Sequence, residues 1–402
     1  MIKTGIDVAE ICRFKQMKNP DAFLKRVFTE NEREYFSKVK TPYERIAGHF
    51  AAKEAFSKYL GTGISGFGWQ DIEVLHEESG KPYIQFMGYR IQADLSISHS
   101  DAVAVAVVCG EELPSYPMGD EYRRLLPKRR EDMHKGDCGR VFVVAGSKGM
   151  TGAAALSAEA ALRSGSGLVT VGTPKSEQPV LAVKLTEAMT LPLADNNGVL
   201  ALSAKNEILK RVKESDVCIL GPGLSKAEGL CETIKEILNE KKPLLLDADG
   251  LNALLGHIDI LKCEKADTVL TPHLGELARL TGFSVKEIQE NRESIAAKFA
   301  REWGVTLLLK GKNTVIASPN GEVHLNPTGN HGMASGGMGD VLSGVIGSLM
   351  GQGLGGYQAA VLGAFLHGLA GDIAARELGE FSMIAGDVLA FLPQAFLALK
   401  RL

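Results

Sequence analysis

Residues 141–146 read VFVVAG, residues 217–221 read VCILG and residues 244–247 read LLLD. Each is a short unbroken apolar run that stops at a glycine or an aspartate, and helical stretches separate them. A strand with one wet face alternates apolar with polar residues. A run without alternation is apolar on both faces and belongs in a mostly parallel sheet covered by helices on both sides. Residues 168–172 (LVTVG), 268–271 (TVLT) and 305–309 (VTLLL) continue the series, so an α/β domain is expected over 123–402. Ligands of such sheets collect at the carboxyl ends of the strands. That end carries the unusual residues of this chain: Gly221-Pro-Gly223, Asp247-Ala-Asp249, Thr271-Pro-His273 and Lys310-Gly311.

Upstream the rhythm changes. Residues 102–109 (AVAVAVVC) form a β-rich run, and residues 110–117 (GEELPSYP) read as a polar, proline-containing connector. We therefore expect a first domain over 1–112, a linker over 113–122 and a second domain over 123–402, with the basic run 123–130 (RRLLPKRR) as solvated chain. The first domain is α+β in rhythm. Thr29 followed by Glu32 is a capping-box pattern. Residues 43–60 predict one long helix ended by Gly61, and strands are expected at 3–8, 72–75, 83–86, 95–98 and 103–108.

With 402 residues, 45% apolar and 23% charged, and a net charge of −3, the chain is an ordinary globular one. That balance argues against wholesale nucleic-acid binding. The six cysteines lack CxxC spacing, which points to free thiols in a reducing compartment. The first sixteen residues lack the apolar core of a signal peptide, and no run approaches about 18 apolar residues. No membrane span and a cytoplasmic location are expected.

Asp7 falls at a strand end, and Glu54 lies on the long helix one turn before Lys58. Two carboxylates from separate elements, completed by substrate phosphate oxygens, suit Mg²⁺. A solvated surface is the plainer reading of such residues taken singly. Around them, Gly61-Thr62-Gly63 offers backbone N–H groups, and Ser98 with His99 adds a hydroxyl and an imidazole. In the second domain, four glycines within residues 332–339 precede Asp340 and an apolar stripe at helical spacing. A helix N-terminus of this kind favours an anion, and an aspartate beside it could take a proton from an attacking hydroxyl or simply cap the helix. The loop 146–152 (GSKGMTG) matches neither a P-loop nor GxGxxG. Residues 310–314 (KGKNT) join two strands and fit a phosphate contact or a plain hairpin equally.

Over residues 1–110 the runs GIDVAEICRF, FTENE, FAAKEAFSKYLGTG, DIEV, GKPY and SISHS resemble, in order and spacing, the holo-[acyl-carrier-protein] synthases. The resemblance implies transfer of 4′-phosphopantetheine from coenzyme A to a serine of acyl carrier protein. It implies Asp7 and Glu54 holding Mg²⁺ on the coenzyme A pyrophosphate, and Glu54 helping to deprotonate the serine. Lys58, Gly61, Thr62, Gly63, Ser98 and His99 would approach coenzyme A. His49 departs from the family's usual arginine, which would alter any anion contact there. A homo-oligomer, trimer-based, is also implied.

Over residues 120–400 the runs GSKGMTGAA, AALRSGSGLVTV, ILGPGL, LLDADGLN, LTPHLGE, LLKGKNTV and NPTGNHGMASGGMGDVLSG resemble the ribokinase-like NAD(P)H-hydrate dehydratases. That likeness implies use of ADP or ATP to restore hydrated NADH or NADPH. Asp340 would activate the ring hydroxyl, and Gly336, Gly337 and Gly339 would hold the transferring phosphate. Gly152, Ala153, Gly223 and His273 would line the hydrate pocket with Asp340. Lys310, Gly311, Lys312, Asn313 and Thr314 would face the nucleotide with Gly339. Family members often carry an upstream epimerase domain; here epimerisation is expected to be spontaneous or the task of another protein. The competing readings are a small-molecule kinase of the ribokinase superfamily for the second domain, and a non-catalytic coenzyme A-binding or trimerising module for the first.

Overall fold

The computed structural model describes residues 2–17, 20–61, 63, 68–86, 89–91, 93–111 and 120–401. Thr62 and most of the expected linker lie outside these residues. The chain divides into two compact units, Met1–Met118 with Lys400–Leu402, and Gly119–Leu399.

The first unit has six described strands: β1 (Ile2–Glu10), β2 (Ile72–His76), β3 (Pro82–Phe86), β4 (Tyr89–Arg90), β5 (Ala93–His99) and β6 (Val103–Glu111). They form two antiparallel sheets, ordered β1-β6-β5 and β2-β3-β4. The helix Tyr43–Leu60 lies across β1 and β6 and ends, as its sequence predicts, at Gly61 in the left-handed conformation. Its face towards the sheet is built from Ala47, Ala51, Ala52 and Ala55, all fully buried. Small side chains let the helix come close, and Gly5 shows how close: a Cβ there would sit 1.9 Å from the Ala55 carbonyl oxygen. The capping box forms between Thr29 and Glu32.

Eleven strands follow in the second unit: β7 (Arg140–Val144), β8 (Leu168–Pro174), β9 (Met189–Leu193), β10 (Asp195–Asn196), β11 (Val199–Leu200), β12 (Val217–Leu220), β13 (Leu244–Leu246), β14 (Thr268–Leu270), β15 (Thr306–Leu309), β16 (Val315–Ala317) and β17 (Val323–Leu325). Apart from the small β10–β11 ribbon they make one sheet, ordered β17-β16-β15-β14-β13-β12-β7-β8-β9. Every pair from β15 to β9 is parallel, and only β15–β16 and β16–β17 are antiparallel. Both faces are dry. Phe142, Val144, Cys218, Leu220, Leu244 and Leu246 pack with Ile208, Ile234 and Phe299 from helices on one side. Val143, Ile219, Leu245 and Leu308 are equally buried on the other, where Gly347 of the helix Met338–Gly351 approaches Ile219. The helix Gly356–Leu378 is long and apolar enough to cross a membrane by composition, but 89% of its apolar window is buried inside the fold as a core helix.

Several features differ from the sequence reading, and one concerns a site residue: Asp7 sits inside β1, paired with Ala106, and not at a strand end. Strands β9 and β17 were not foreseen, because MTLPL carries Pro192 and VHL is too short and mixed to signal itself; both are edge strands, where a proline is tolerated. The expected linker runs too far, since Asp120–Leu125 is helical and Tyr122 is buried, stacked 3.9 Å from Phe365 and bonded through its hydroxyl to His324 at 3.0 Å. The basic side chains of 123–130 are exposed, as expected, and the Arg129 guanidinium donates to the Gly165 carbonyl.

Candidate active sites

In the second unit the strand ends converge. Asp247, just beyond β13, receives the Lys310 ammonium on Oδ1 at 2.7 Å and the Ser343 hydroxyl on Oδ2 at 2.8 Å. Lys310, just beyond β15, also lies 3.9 Å from Glu276. Burial works against its charge, yet Asp247, Glu276 and Asp340 together hold its proton more tightly than usual. The backbone is tightly drawn here: a Cβ on Gly221 would fall 1.8 Å from the Asp247 carbonyl, and Ala248 takes a positive φ of 47°.

The glycine run meets this cluster from the other side. The helix Met338–Gly351 starts after Gly337, which has φ +93°, and Asp340 occupies its first turn. A Cβ on Gly339 would lie 3.4 Å from Lys310 Nζ and 3.6 Å from Asp247 Oδ2, whereas Gly336 faces open space. Asp340 does not cap the helix: its backbone carbonyl accepts from Ser157, and its carboxylate has no hydrogen-bond partner among the described residues. Burial, then the Asp247 charge, raises its carboxyl from 3.8 to about 7 against the pull of Lys310. Behind the run, Asp372 accepts from the Gly329 N–H and the Asn330 amide, both at 2.9 Å, anchoring the loop to the helix Gly356–Leu378.

The expected pocket residues gather at the same sheet end. Gly223 (φ +60°) would bring a Cβ within 3.0 Å of Ala153, beside Gly152 in the first turn of Thr151–Arg163. His273 caps the helix Leu274–Thr281, its Nδ1 accepting from the Gly275 N–H at 2.9 Å and the Glu276 N–H at 3.3 Å. Its ring is half exposed at the rim. Residues 310–314 form the β15–β16 turn, where the Thr314 hydroxyl donates to the Gly311 carbonyl at 2.9 Å. Lys312 and Asn313 are exposed. Asp247 organises the cluster by receiving both Lys310 and Ser343. The signal was available in LLLD, an apolar strand that ends on a carboxylate at the ligand-binding edge; Ser343 and Glu276 gave no such sign.

In the first unit Lys58 Nζ lies 2.7 Å from Asp7 Oδ1 and donates to the Ile6 carbonyl at 3.1 Å. Partial burial, then the Asp7 charge, raises the Glu54 carboxyl, with Lys58 opposing. The two carboxylates therefore sense each other, as a shared cation site requires. Among the described residues no group of three metal-ligating side chains occurs, so a cation here would need substrate oxygens as well. Gly61 and Gly63 both have positive φ with open space around them, and Ser98 and His99 are exposed at the end of β5.

His49 is not at this site. It is 3% exposed, its Nδ1 bonds the Arg45 carbonyl at 2.9 Å, and its ring sits among Tyr35, Phe36 and His76. Burial and the neighbouring cations lower its pKa to about 3, so it stays neutral. Its difference from the family's arginine therefore concerns packing, not an anion contact. Lys53, in the same FAAKEAF run, is structural too: fully buried, it pairs with Glu32 at 2.8 Å and bonds three backbone carbonyls.

Family models match both units. Residues 141–394 match NAD(P)H-hydrate dehydratase, and residues 3–109 match the 4′-phosphopantetheinyl transferase superfamily. Over 273 residues, 67% of this chain, the sequence is 51% identical to a bifunctional NAD(P)H-hydrate repair enzyme of Moorella thermoacetica. The match covers 52% of that protein, so the chain spans about half the length of this curated relative. It is 36% identical to the ADP-dependent (S)-NAD(P)H-hydrate dehydratase of Neisseria meningitidis, covering 66% of this chain and 88% of that one. The structure of an ADP/ATP-dependent NAD(P)H-hydrate dehydratase from Bacillus subtilis, co-crystallized with ATP and Mg²⁺, superposes with a TM-score of 0.59 at 31% identity, over 68% of this chain and 95% of that one.

Proposed function

We propose that this chain, which belongs to the NAD(P)H-hydrate dehydratase family, uses ADP or ATP to dehydrate hydrated NADH and NADPH in its second unit. The observation that carries the reading is the Asp340 carboxylate, unspent on capping, raised to about 7 and set among the helix N-terminus, Lys310 and Asp247. A base with that pKa is matched to neutral pH. Asp340 takes the proton of the hydrate's 6-hydroxyl as its oxygen attacks the terminal phosphorus, and the bond to the departing nucleotide breaks. The N–H groups around Gly336, Gly337 and Gly339 and the Lys310 cation stabilise the charge that develops on the phosphoryl oxygens. The C6–O bond then breaks with its electron pair on phosphate, and loss of a proton from the neighbouring carbon restores the ring double bond. Gly152, Ala153, Gly223 and His273 border the hydrate, while residues 310–314 meet the nucleotide. The names of the Neisseria and Bacillus relatives support this nucleotide dependence.

For the first unit we propose Mg²⁺-dependent transfer of 4′-phosphopantetheine from coenzyme A to acyl carrier protein, supported by the superfamily match over residues 3–109. Asp7 and Glu54 would hold the metal, which screens the coenzyme A pyrophosphate when bound. Glu54 would accept the serine proton, Lys58 would add positive charge, and Gly61, Gly63, Ser98 and His99 would border the coenzyme. Exposed Ile2, Ile6 and Val8 on β1 leave an apolar sheet face, which supports self-association of this unit, with a trimer expected.

The deciding assay incubates the full chain with hydrated NADH and either nucleotide and follows recovery of the reduced-nicotinamide absorbance. Recovery with release of inorganic phosphate is expected. A stable phosphorylated product would instead establish a kinase, and no turnover with either nucleotide would remove the assignment.

A further inference from the structure

We infer that Arg292 is the positioning residue of the nucleotide loop, holding residues 310–314 in the shape a phosphate would meet; the inference rests on the nucleotide reading of that loop given above. Arg292 opens the helix Arg292–Trp303, apart from the loop in sequence. Its Nη1 donates to the Lys312 carbonyl, and its Nη2 donates to the Leu309 carbonyl at 3.2 Å. One planar fork thus gathers two carbonyls of a single tight turn, a geometry that a lysine cannot reproduce. Between them lies Gly311, with φ +139°, where a Cβ would come 3.1 Å from Nη2.

The peptide group makes this hold consequential. A trans peptide is planar, so a carbonyl turned towards Arg292 turns the next N–H away from it. The Leu309 carbonyl thereby directs the Lys310 N–H, which donates to the Pro272 carbonyl at 2.9 Å. The Lys312 carbonyl directs the Asn313 N–H in the same way, and Asn313 sits at φ +50°, in the left-handed region that asparagine adopts more readily than most residues. Carbonyl oxygens repel phosphate. Drawing two of them to a cation removes them from the ligand's side, and at the Lys312–Asn313 peptide it leaves the Asn313 N–H there. Arg292 Nε is buried with no hydrogen-bond partner among the described residues, a cost that a surface arginine would shed by swinging into water.

The test uses the full chain as wild type, Arg292→Met and Arg292→Lys. Calorimetry gives the affinity for ADP and ATP, steady-state kinetics separate the nucleotide KM from the hydrate KM, and melting curves confirm folding. Arg292→Met is expected to weaken nucleotide binding about 10- to 100-fold, as loss of two charge-assisted hydrogen bonds predicts. The hydrate KM should stay within about twofold, and Arg292→Lys should recover only part of the loss. A merely structural arginine would weaken both substrates together, and that outcome overturns the inference, as does unchanged nucleotide affinity in the methionine variant. If the methionine variant does not fold, the lysine variant decides: nucleotide binding equal to wild type overturns the role of the fork. A wild type that binds neither nucleotide overturns the nucleotide reading of the loop itself, and this role with it.

Discussion

In the first unit Lys58 lies 2.7 Å from Asp7, their side chains 52% and 17% exposed; in the second Lys310 lies 2.7 Å from Asp247, theirs 21% and 2% exposed. A further carboxylate, Glu54 in one case and Asp340 in the other, completes each cluster. The residue types and separations agree, and the surroundings do not. Nearer water, the first cluster suits a hard cation and the phosphates it accompanies. In the buried cluster, desolvation and like charge push one carboxyl up to about 7, so it can exchange a proton at neutral pH. The comparison separates charge that is displayed from charge that is withheld.

The largest effect should come from removing the withheld charge. Asp340→Asn keeps the shape but not the base, and turnover of the hydrate should fall by roughly 10²–10⁴-fold. In the wild type, kcat should also fall about tenfold per pH unit below 7, where the carboxyl holds its proton. Near-normal turnover in the variant would leave Asp340 a helix residue only and end the comparison. At the displayed site, Asp7→Ala or Glu54→Ala should each cost more than about 10²-fold in phosphopantetheinyl transfer, because a hard cation needs both charges. Mass gain on an apo-carrier protein given coenzyme A and Mg²⁺ is the measurement, and gain in both variants equal to that of the wild type would mean that no metal is shared.

A smaller effect concerns stability. Because the folded state holds the Asp340 proton up to about pH 7 while the unfolded chain releases it near 3.8, this group's contribution is complete below pH 4 and is lost as pH rises to 7. Above pH 7 the wild type carries the full cost of the buried charge, on the order of a few kcal/mol. Asp340→Asn should therefore melt several degrees above the wild type at pH 8 and close to it at pH 4. A gap that does not change with pH would mean that the carboxyl is not raised.

Much of this arrangement was readable in the residues, and the rest was not for a definite reason. The unbroken runs at 141–146, 217–221 and 244–247 announced a two-sided sheet because burial on both faces removes alternation. The helix Tyr43–Leu60 and its stop at Gly61 followed from local rules, as did the Thr29–Glu32 capping box. What could not be read is anything set by residues distant in sequence. Lys53 looks like any lysine until Glu32 and three carbonyls close around it. His49 looked like a weakened anion contact, but its place among Tyr35, Phe36 and His76 depends on elements from other parts of the unit. Arg292 and Asp372 hold loops from neighbouring helices, and no spacing signals that. Short edge strands such as β9 and β17 lack the full burial that gives a strand its pattern.

The sharpest test of burial as the deciding variable pairs two lysine variants, of which the Lys58 arm carries the smallest expected effect. Lys58→Met and Lys310→Met remove the same ammonium from pairs of the same length. In the second unit the change leaves Asp247 buried without its cation, and loss of one partner from such a pair typically costs about 3–5 kcal/mol. In the first unit water can solvate Asp7 as soon as Lys58 is gone, so stability should change by no more than about 1 kcal/mol. Raising the salt concentration should erase even that difference for Lys58 and leave the Lys310 deficit in place, because ions screen exposed pairs and do not reach buried ones. Urea melts of both variants at low and high salt measure this directly. If the Lys58 variant proved as damaged as the Lys310 variant, exposure would not be what distinguishes the two clusters, and their different chemistry would need another cause.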